Sequence, residues 1–290
     1  MQMHKLRIIL SYIFLSVLPF TASGSPDRLR DDLLFLTDRS QEGRATGSAG
    51  AQSTVFYLLR EFRNLGLRTT VQCFDCDGKA GRNVVAVTPG WYSDYIVVGA
   101  YYDGFGFLDG AFYPGADSNA SGVAALLGLA RSLASECSGS TGLIFVAFDG
   151  HNSGLSGSRE FLGRFSKEYP FRMMINLDIL GSSLVPPDSS RPDYVIALGG
   201  IPYMFALERA NRGPGLDISY DYYGSEQFTE LFYRRIGDQS WFLDAGVPSL
   251  MFTSGITLHT NKVGDTVDTL DLDLLSRRIT LIREWLISMI

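Results

Sequence analysis

Histidine is the scarcest tool this chain has for chemistry. Its 290 residues include three, His4, His151 and His259, and any site that uses imidazole must draw on them. His151 stands in a polar run, Asp149-Gly150-His151-Asn152-Ser153-Gly154, and His259 in another, His259-Thr260-Asn261-Lys262. Three further runs hold Tyr101-Tyr102-Asp103, Gly115-Ala116-Asp117-Ser118-Asn119 and Asn176-Leu177-Asp178. Carboxylates, imidazoles and a hydroxyl delivered by separate loops are the parts of a cleft assembled for hydrolysis or metal binding. The cysteines point elsewhere. Cys73 and Cys76 form a C-x-x-C and Cys137 stands alone. Without a second pair this is weak evidence for zinc, and a local disulfide or two idle thiols is the expectation.

The polar runs follow apolar segments of strand length. Residues 83–88, 95–100, 143–148, 173–177, 194–198 and 249–252 read as strands. A Pro89-Gly90 turn between the first two suggests a hairpin. Residues 29–37 and 51–65 read as amphipathic helices, the second ending at Gly66 as a C-cap. Residues 122–134 are apolar nearly all round and read as a buried helix. Residues 156–165, 202–210 and 270–290 complete the helical set. Alternation of this kind, with no repeat or low-complexity linker, argues for one α/β domain with a mixed sheet covered on both faces. Function in such sheets sits on the loops leaving the strand C-termini.

Composition agrees. With 46% hydrophobic and 19% charged residues, 31 glycines and 11 prolines, the chain is neither disordered, collagenous nor a coiled coil. A formal charge of -6 argues against a nucleic-acid partner. Lys5 and Arg7, the apolar residues 8–20 and the small residues Thr21-Ala22-Ser23-Gly24 read as a signal peptide over residues 1–24. The expectation is an exported protein, periplasmic or secreted, with a single domain over residues 25–290 and no membrane association after cleavage.

The motifs together, from Gly43-Arg44-Ala45-Thr46-Gly47 through Gly115-Ala116-Asp117-Ser118-Asn119-Ala120-Ser121-Gly122 to His259-Thr260, resemble the exported di-zinc aminopeptidases. That is metallopeptidase family twenty-eight, which includes the glutaminyl cyclases. The resemblance covers the whole chain after residue 24. It implies a mixed, mainly parallel sheet sandwiched by helices, a three-layer phosphorylase/hydrolase-type architecture, with the site at the C-terminal edge of the sheet. It also implies a pair of zinc ions that polarise a scissile carbonyl while a glutamate moves the proton.

Carried over residue by residue, the implied ligands are mostly replaced. Tyr101 stands at the first histidine position, Ser118 at the bridging aspartate, His151 at the general-base glutamate and Asn152 at the ligand glutamate; Asp178 and His259 match. Neutral hydroxyl and amide oxygens are poor zinc donors. The expectation is therefore a pseudopeptidase without a cofactor, holding a peptide or protein N-terminus in a cleft formed by Tyr101, Asp103, Asp117, Asn152 and Tyr223. One alternative is an active aminopeptidase with one zinc, in which Asp117 and His151 join Asp178 and His259. Another is a Ser118–His151–Asp178 hydrolase. In a third, a glutaminyl cyclase, two of three ligands would be missing. Asp149, Asp265 and the Asp238-Gln239 pair are expected to be chiefly structural, and the aromatic loop with Phe105, Phe107, Phe112 and Tyr113 is expected beside the cleft.

Overall fold

Helix α1 (Pro26–Thr37) opens the described part of the chain, residues 26–290 of a computed structural model. The signal-peptide reading of residues 1–24 lies outside the described residues. Helix α2 (Ala49–Asn64) starts at Ser48, whose hydroxyl accepts the Ala51 N–H at 3.0 Å, the usual remedy for an unsatisfied first-turn donor.

Strands β1 (Arg68–Cys76) and β2 (Lys79–Val87) form an antiparallel hairpin. It closes through Asp77 (φ 52°) and Gly78 (φ 77°), the Asp-Gly pair favoured where both central residues need positive φ. The hairpin expected around Pro89-Gly90 does not form. Strand β3 (Asp94–Tyr101) runs parallel to β6 (Thr141–Phe148), and β6 separates it from β2. The Pro-Gly turn instead opens a crossover between sheet positions. Of the two expectations for the C-x-x-C pair, the structure has the idle thiols and not the disulfide. Cys73 and Cys76 are free, one exposed and one buried. Three residues apart on β1, they face opposite sides of the sheet, and Cys76 Sγ lies 3.2 Å from Ser156 Oγ.

A small hairpin, β4 (Gly106–Leu108) and β5 (Ala111–Tyr113), leads to a wide turn and helix α3 (Ser121–Leu133). After β6 come α4 (Ser156–Phe165), β7 (Phe171–Leu177), β8 (Tyr194–Leu198), α5 (Met204–Ala210) and β9 (Asp217–Ser219). Two short helices, α6 (Glu226–Arg234) and α7 (Gln239–Asp244), precede β10 (Ser249–Thr253) and the closing α8 (Leu272–Ile287).

The eight-stranded sheet has the order β1-β2-β6-β3-β7-β10-β8-β9. Pairs β6–β3, β3–β7, β7–β10 and β8–β9 are parallel. This is the mixed, mainly parallel sheet that the sequence implied. Alternation along the central strands splits the core in two. Ile96, Val98 and Ala100 of β3 join Leu143, Phe145 and Ala147 of β6 on the face covered by α1, α2, α3 and α8. Val97, Tyr101, Ile144, Val146 and Phe148 pack with Phe161 of α4 and Phe242 of α7 on the other. Among the described residues no helix is long and apolar enough to cross a membrane.

Candidate functional site

Strands β3, β6, β7 and β10 run in one direction, so their C-termini meet along one edge. They deliver Tyr101–Asp103, Asp149–Asn152, Asp178 and the 254–261 loop. This edge is where a parallel sheet places its ligands. Asn119 ties the edge together: its amide donates to Tyr101 O (3.1 Å) and Leu177 O (3.0 Å), and its carbonyl accepts the Ile179 N–H at 2.9 Å. Gly122 permits this packing, since a Cβ there would lie 2.4 Å from Asn119 Oδ1 and 2.5 Å from Leu177 O. The Gly43–Gly47 motif works from behind. Arg44, fully buried, donates to Tyr102 O and to the Pro114 and Gly115 carbonyls, while Thr46 Oγ1 donates to Asp149 at 2.7 Å.

A cavity of about 100 Å³ opens at the edge, with Tyr101, His151 and Asp178 on its floor. Ile179, Phe232, Ile236, Met251 and Ile256 form apolar walls, and Tyr222, Thr253, Thr260 and Asn261 add polar groups. On the floor the His151 and Tyr101 rings stack, with centroids 3.7 Å apart and planes 12° off parallel. Behind His151 lies Asp238, fully buried, with Oδ2 2.8 Å from His151 Nδ1 and Oδ1 without a partner.

This ion pair sets the electrostatics. Burial opposes charge on His151, but Asp238, aided by Asp178 and Asp103, carries its pKa up to about 9, so the ring is an imidazolium at neutral pH. Burial raises Asp178 to about 6, against the pull of the His151 charge and a hydrogen bond from Tyr101. Burial and the nearby Asp149 raise Asp103 to about 6. Both carboxyls are mainly ionised at pH 7. The Tyr101 phenol is pushed well above 10, by burial first and Asp178 next. It is a neutral hydroxyl here.

The other anticipated residues are placed as follows. Asp103 accepts the backbone N–H groups of His151 (2.9 Å) and Asn152 (3.1 Å) and the Asn152 side-chain amide (3.1 Å), drawing that loop down onto its carboxylate. Asp117 is buried but does not line the cavity, and its Oδ2 has no partner among the described residues. Its Oδ1 accepts the Gly181 N–H at 2.7 Å and the Ser121 hydroxyl at 3.0 Å, and burial, then Asp265, raises its pKa to about 7. Ser118 Oγ donates to Asp265 Oδ2 at 2.8 Å and lies 3.2 Å from Asn261 Oδ1. Asp265 also accepts the Asp117 and Ser118 N–H groups, the loop-forming role expected of it. His259 is half-buried outside the cavity walls, its Nδ1 toward Gly264. Tyr223 is not among the cavity's lining residues, its hydroxyl donating to Val185 O at 2.7 Å; its neighbour Tyr222 lines the cavity.

The serine triad is not assembled: Ser118 is held by Asp265, and His151 is paired with Asp238 rather than Asp178. The residues do not fit a metal pair either. Tyr101 offers a phenol and Asn152 an amide held on Asp103, both poor zinc donors, and His151 Nδ1 already faces Asp238,. Of the single-zinc set, His151 and Asp178 line the cavity together, whereas Asp117 and His259 are not among its lining residues and Asp117 Oδ1 is held by the Gly181 N–H. Asp238 is the functional residue that sequence reasoning undervalued. The available signal was the histidine itself, since a buried imidazole beside carboxylates calls for an oriented partner.

Comparison with known proteins adds the following. The family model described as Peptidase family M28 matches residues 83–286. The uncharacterized protein YfbL of Escherichia coli (strain K12) is 30% identical over 194 residues, 64% of this chain and 60% of that protein; the chain thus spans less than two thirds of that relative. Among solved structures, the Legionella pneumophila LapA aminopeptidase superposes with a TM-score of 0.73 at 17% identity, covering 90% of this chain and 70% of that one. BSAP, a zinc aminopeptidase from Bacillus subtilis, gives 0.72 at 14% identity, covering 90% and 94%. At these identities the structural matches speak to the fold.

Proposed function

The chain belongs to peptidase family M28, and from that premise we propose that it is a non-hydrolytic member that holds the free N-terminus of a peptide or protein in the former substrate cleft. One observation carries the reading: His151, at the position that the resemblance assigns to the general base, stacks on Tyr101 and sets its Nδ1 2.8 Å from the buried Asp238 Oδ2, a pairing that favours the protonated ring. A base that already holds its proton at neutral pH cannot accept one. The ligand positions beside it are neutral or engaged elsewhere, so no hydrolytic step is assigned.

What remains suits a cation with an apolar side chain. Asp178 faces the cavity directly, while Asp238 lies behind the floor and offsets the His151 charge. An α-ammonium group pairs with Asp178, while Phe232, Ile236 and Met251 receive the first side chain. This is the usual composition of a small-ligand site, mostly apolar walls with few convergent polar groups. In this reading the partner is met outside the cytoplasm, on the strength of the leader-like residues 1–24.

Calorimetric titration with leucinamide and N-acetyl-leucinamide tests the proposal. The free amine should bind and the acetylated compound should not, with binding weakening below about pH 6 as Asp178 takes up a proton. Aminoacyl p-nitroanilides should remain intact with or without added zinc. One firmly held zinc equivalent with chelator-sensitive hydrolysis would replace this reading with an active metallo-aminopeptidase.

A further inference from the structure

A second cavity, of about 320 Å³, lies between α7, the C-terminal end of α6 and the turn that precedes α4. It shares no lining residue with the cleft, yet its walls belong to the two segments that hold the ion pair of the cleft floor. Leu155 closes the turn begun by His151, donating its N–H to His151 O at 3.1 Å, and Ser240 follows Asp238 by two residues. Trp241 joins these walls, its Nε1 donating to Leu155 O at 3.2 Å.

The polar groups of this cavity are largely unused. Arg235, just past the end of α6, has neither an ion-pair nor a hydrogen-bond partner for its side chain among the described residues. Arg234 meets Glu230 at 3.5 Å with both side chains about half exposed, a pairing that solvent screens. The Ser240 hydroxyl belongs to a residue only 6% exposed and also has no partner among the described residues. A buried hydroxyl normally finds one, and this one opens on the cavity. Asp244 is the single carboxylate among the lining residues, so the two guanidinium groups leave the cavity cationic. Arg159, 5.9 Å from the centre of the Trp241 ring and 3.8 Å from Glu160, adds a further cation beside that wall.

The geometry points to an oxyanion site of the phosphate class in this cavity, with Arg235 and the Ser240 hydroxyl donating to the anion and the Trp241 ring receiving the organic group it carries. A guanidinium offers paired donors that match phosphate oxygens, and the hydroxyl holds a further oxygen. The indole N–H is already engaged by Leu155, so that wall presents a ring and no donor. A phosphomonoester meets all three groups, whereas inorganic phosphate meets only the two donors.

Equilibrium dialysis against phenyl phosphate and inorganic phosphate, in Tris chloride at pH 8 where both are mainly dianions, tests the site. Both should bind saturably, phenyl phosphate roughly fivefold more tightly through the ring contact. Arg235→Gln should weaken both by about tenfold and Ser240→Ala by about fivefold. Arg235 is exposed and the Ser240 hydroxyl is unpartnered, so neither change disturbs the fold. Arg212→Gln, at an exposed arginine that does not line this cavity, should leave both affinities unchanged. Equal affinity for the two ligands would assign the site to the free anion and remove Trp241 from it. Equal losses in Arg235→Gln and Arg212→Gln would reduce the binding to general charge attraction and overturn the site, as would the absence of saturable binding of either ligand.

Discussion

Replacing Asp238 with asparagine should make the stability deficit depend on pH in a way set by one proton. Asp238 is fully buried and pairs with His151 at 2.8 Å, and the His151 side chain is only 16% exposed, so solvent screens the pair little. The His151 pKa stands at about 9 in the fold against 6.5 in the unfolded chain. A histidine raised in this way contributes stability that is complete below pH 6.5 and is lost as pH rises through 9. The difference corresponds to about 3 kcal/mol. In Asp238→Asn the opposing effect of burial is no longer outweighed by its main counterweight, so the proton leaves near or below the unfolded value and this contribution disappears. Between pH 10 and pH 6 the variant should therefore lose about 3 kcal/mol of stability relative to the parent. At pH 10, with His151 neutral in both, the parent retains a buried carboxylate with an unpartnered Oδ1, and the variant should be level with it or more stable. Urea denaturation at both pH values, followed by tryptophan fluorescence, measures the two differences. An equal deficit at pH 6 and pH 10 would show that Asp238 does not hold the His151 proton, and the electrostatic account of the cleft floor would fall with it.

Other expectations are as direct. Gly122→Ala should destabilise the fold by about 2–3 kcal/mol in urea, because the added methyl would press on Asn119 and the Leu177 carbonyl,; an unchanged midpoint would mean that the Asn119 clamp yields freely. Ser118→Ala should cost about 1 kcal/mol through the lost bond to Asp265,. The parent protein should resist fluorophosphonates, and labelling at Ser118 would contradict the assignment of its hydroxyl. In the native protein Ellman's reagent should titrate Cys73 rapidly and Cys76 only after unfolding; a Cys73–Cys76 crosslink in a non-reducing peptide map would contradict their placement on opposite faces of β1.

Much of the fold was legible along the chain, since the central strands carry near-continuous apolar runs and α3 is apolar all round. The weaker elements were not. Strand β1 is polar and half-exposed, and its one clear signal was the Asp77-Gly78 turn. The short α6 and α7 become intelligible only once Gln239 is seen receiving Asn176 and donating to the Phe232 and Tyr233 carbonyls. Strand order was also hidden. Local turn chemistry made β2 and β3 look like a hairpin, but β6, more than fifty residues later in the chain, takes the place between them.

The sequence by itself determined the fold class, the family and which residue type stands at each motif position, because these depend on periodicity and on local residue identity. Tertiary structure decided how the surviving groups are used. His151 meets Asp238 across 87 positions of sequence, Asp117 holds the Gly181 N–H and does not line the cavity, and Tyr222 rather than Tyr223 lines the wall. Periodicity reports which face a side chain occupies within its own strand or helix. The partner that a loop residue meets depends on which strand ends the sheet order brings together and on the backbone angles of each loop, and neither is written in local pattern.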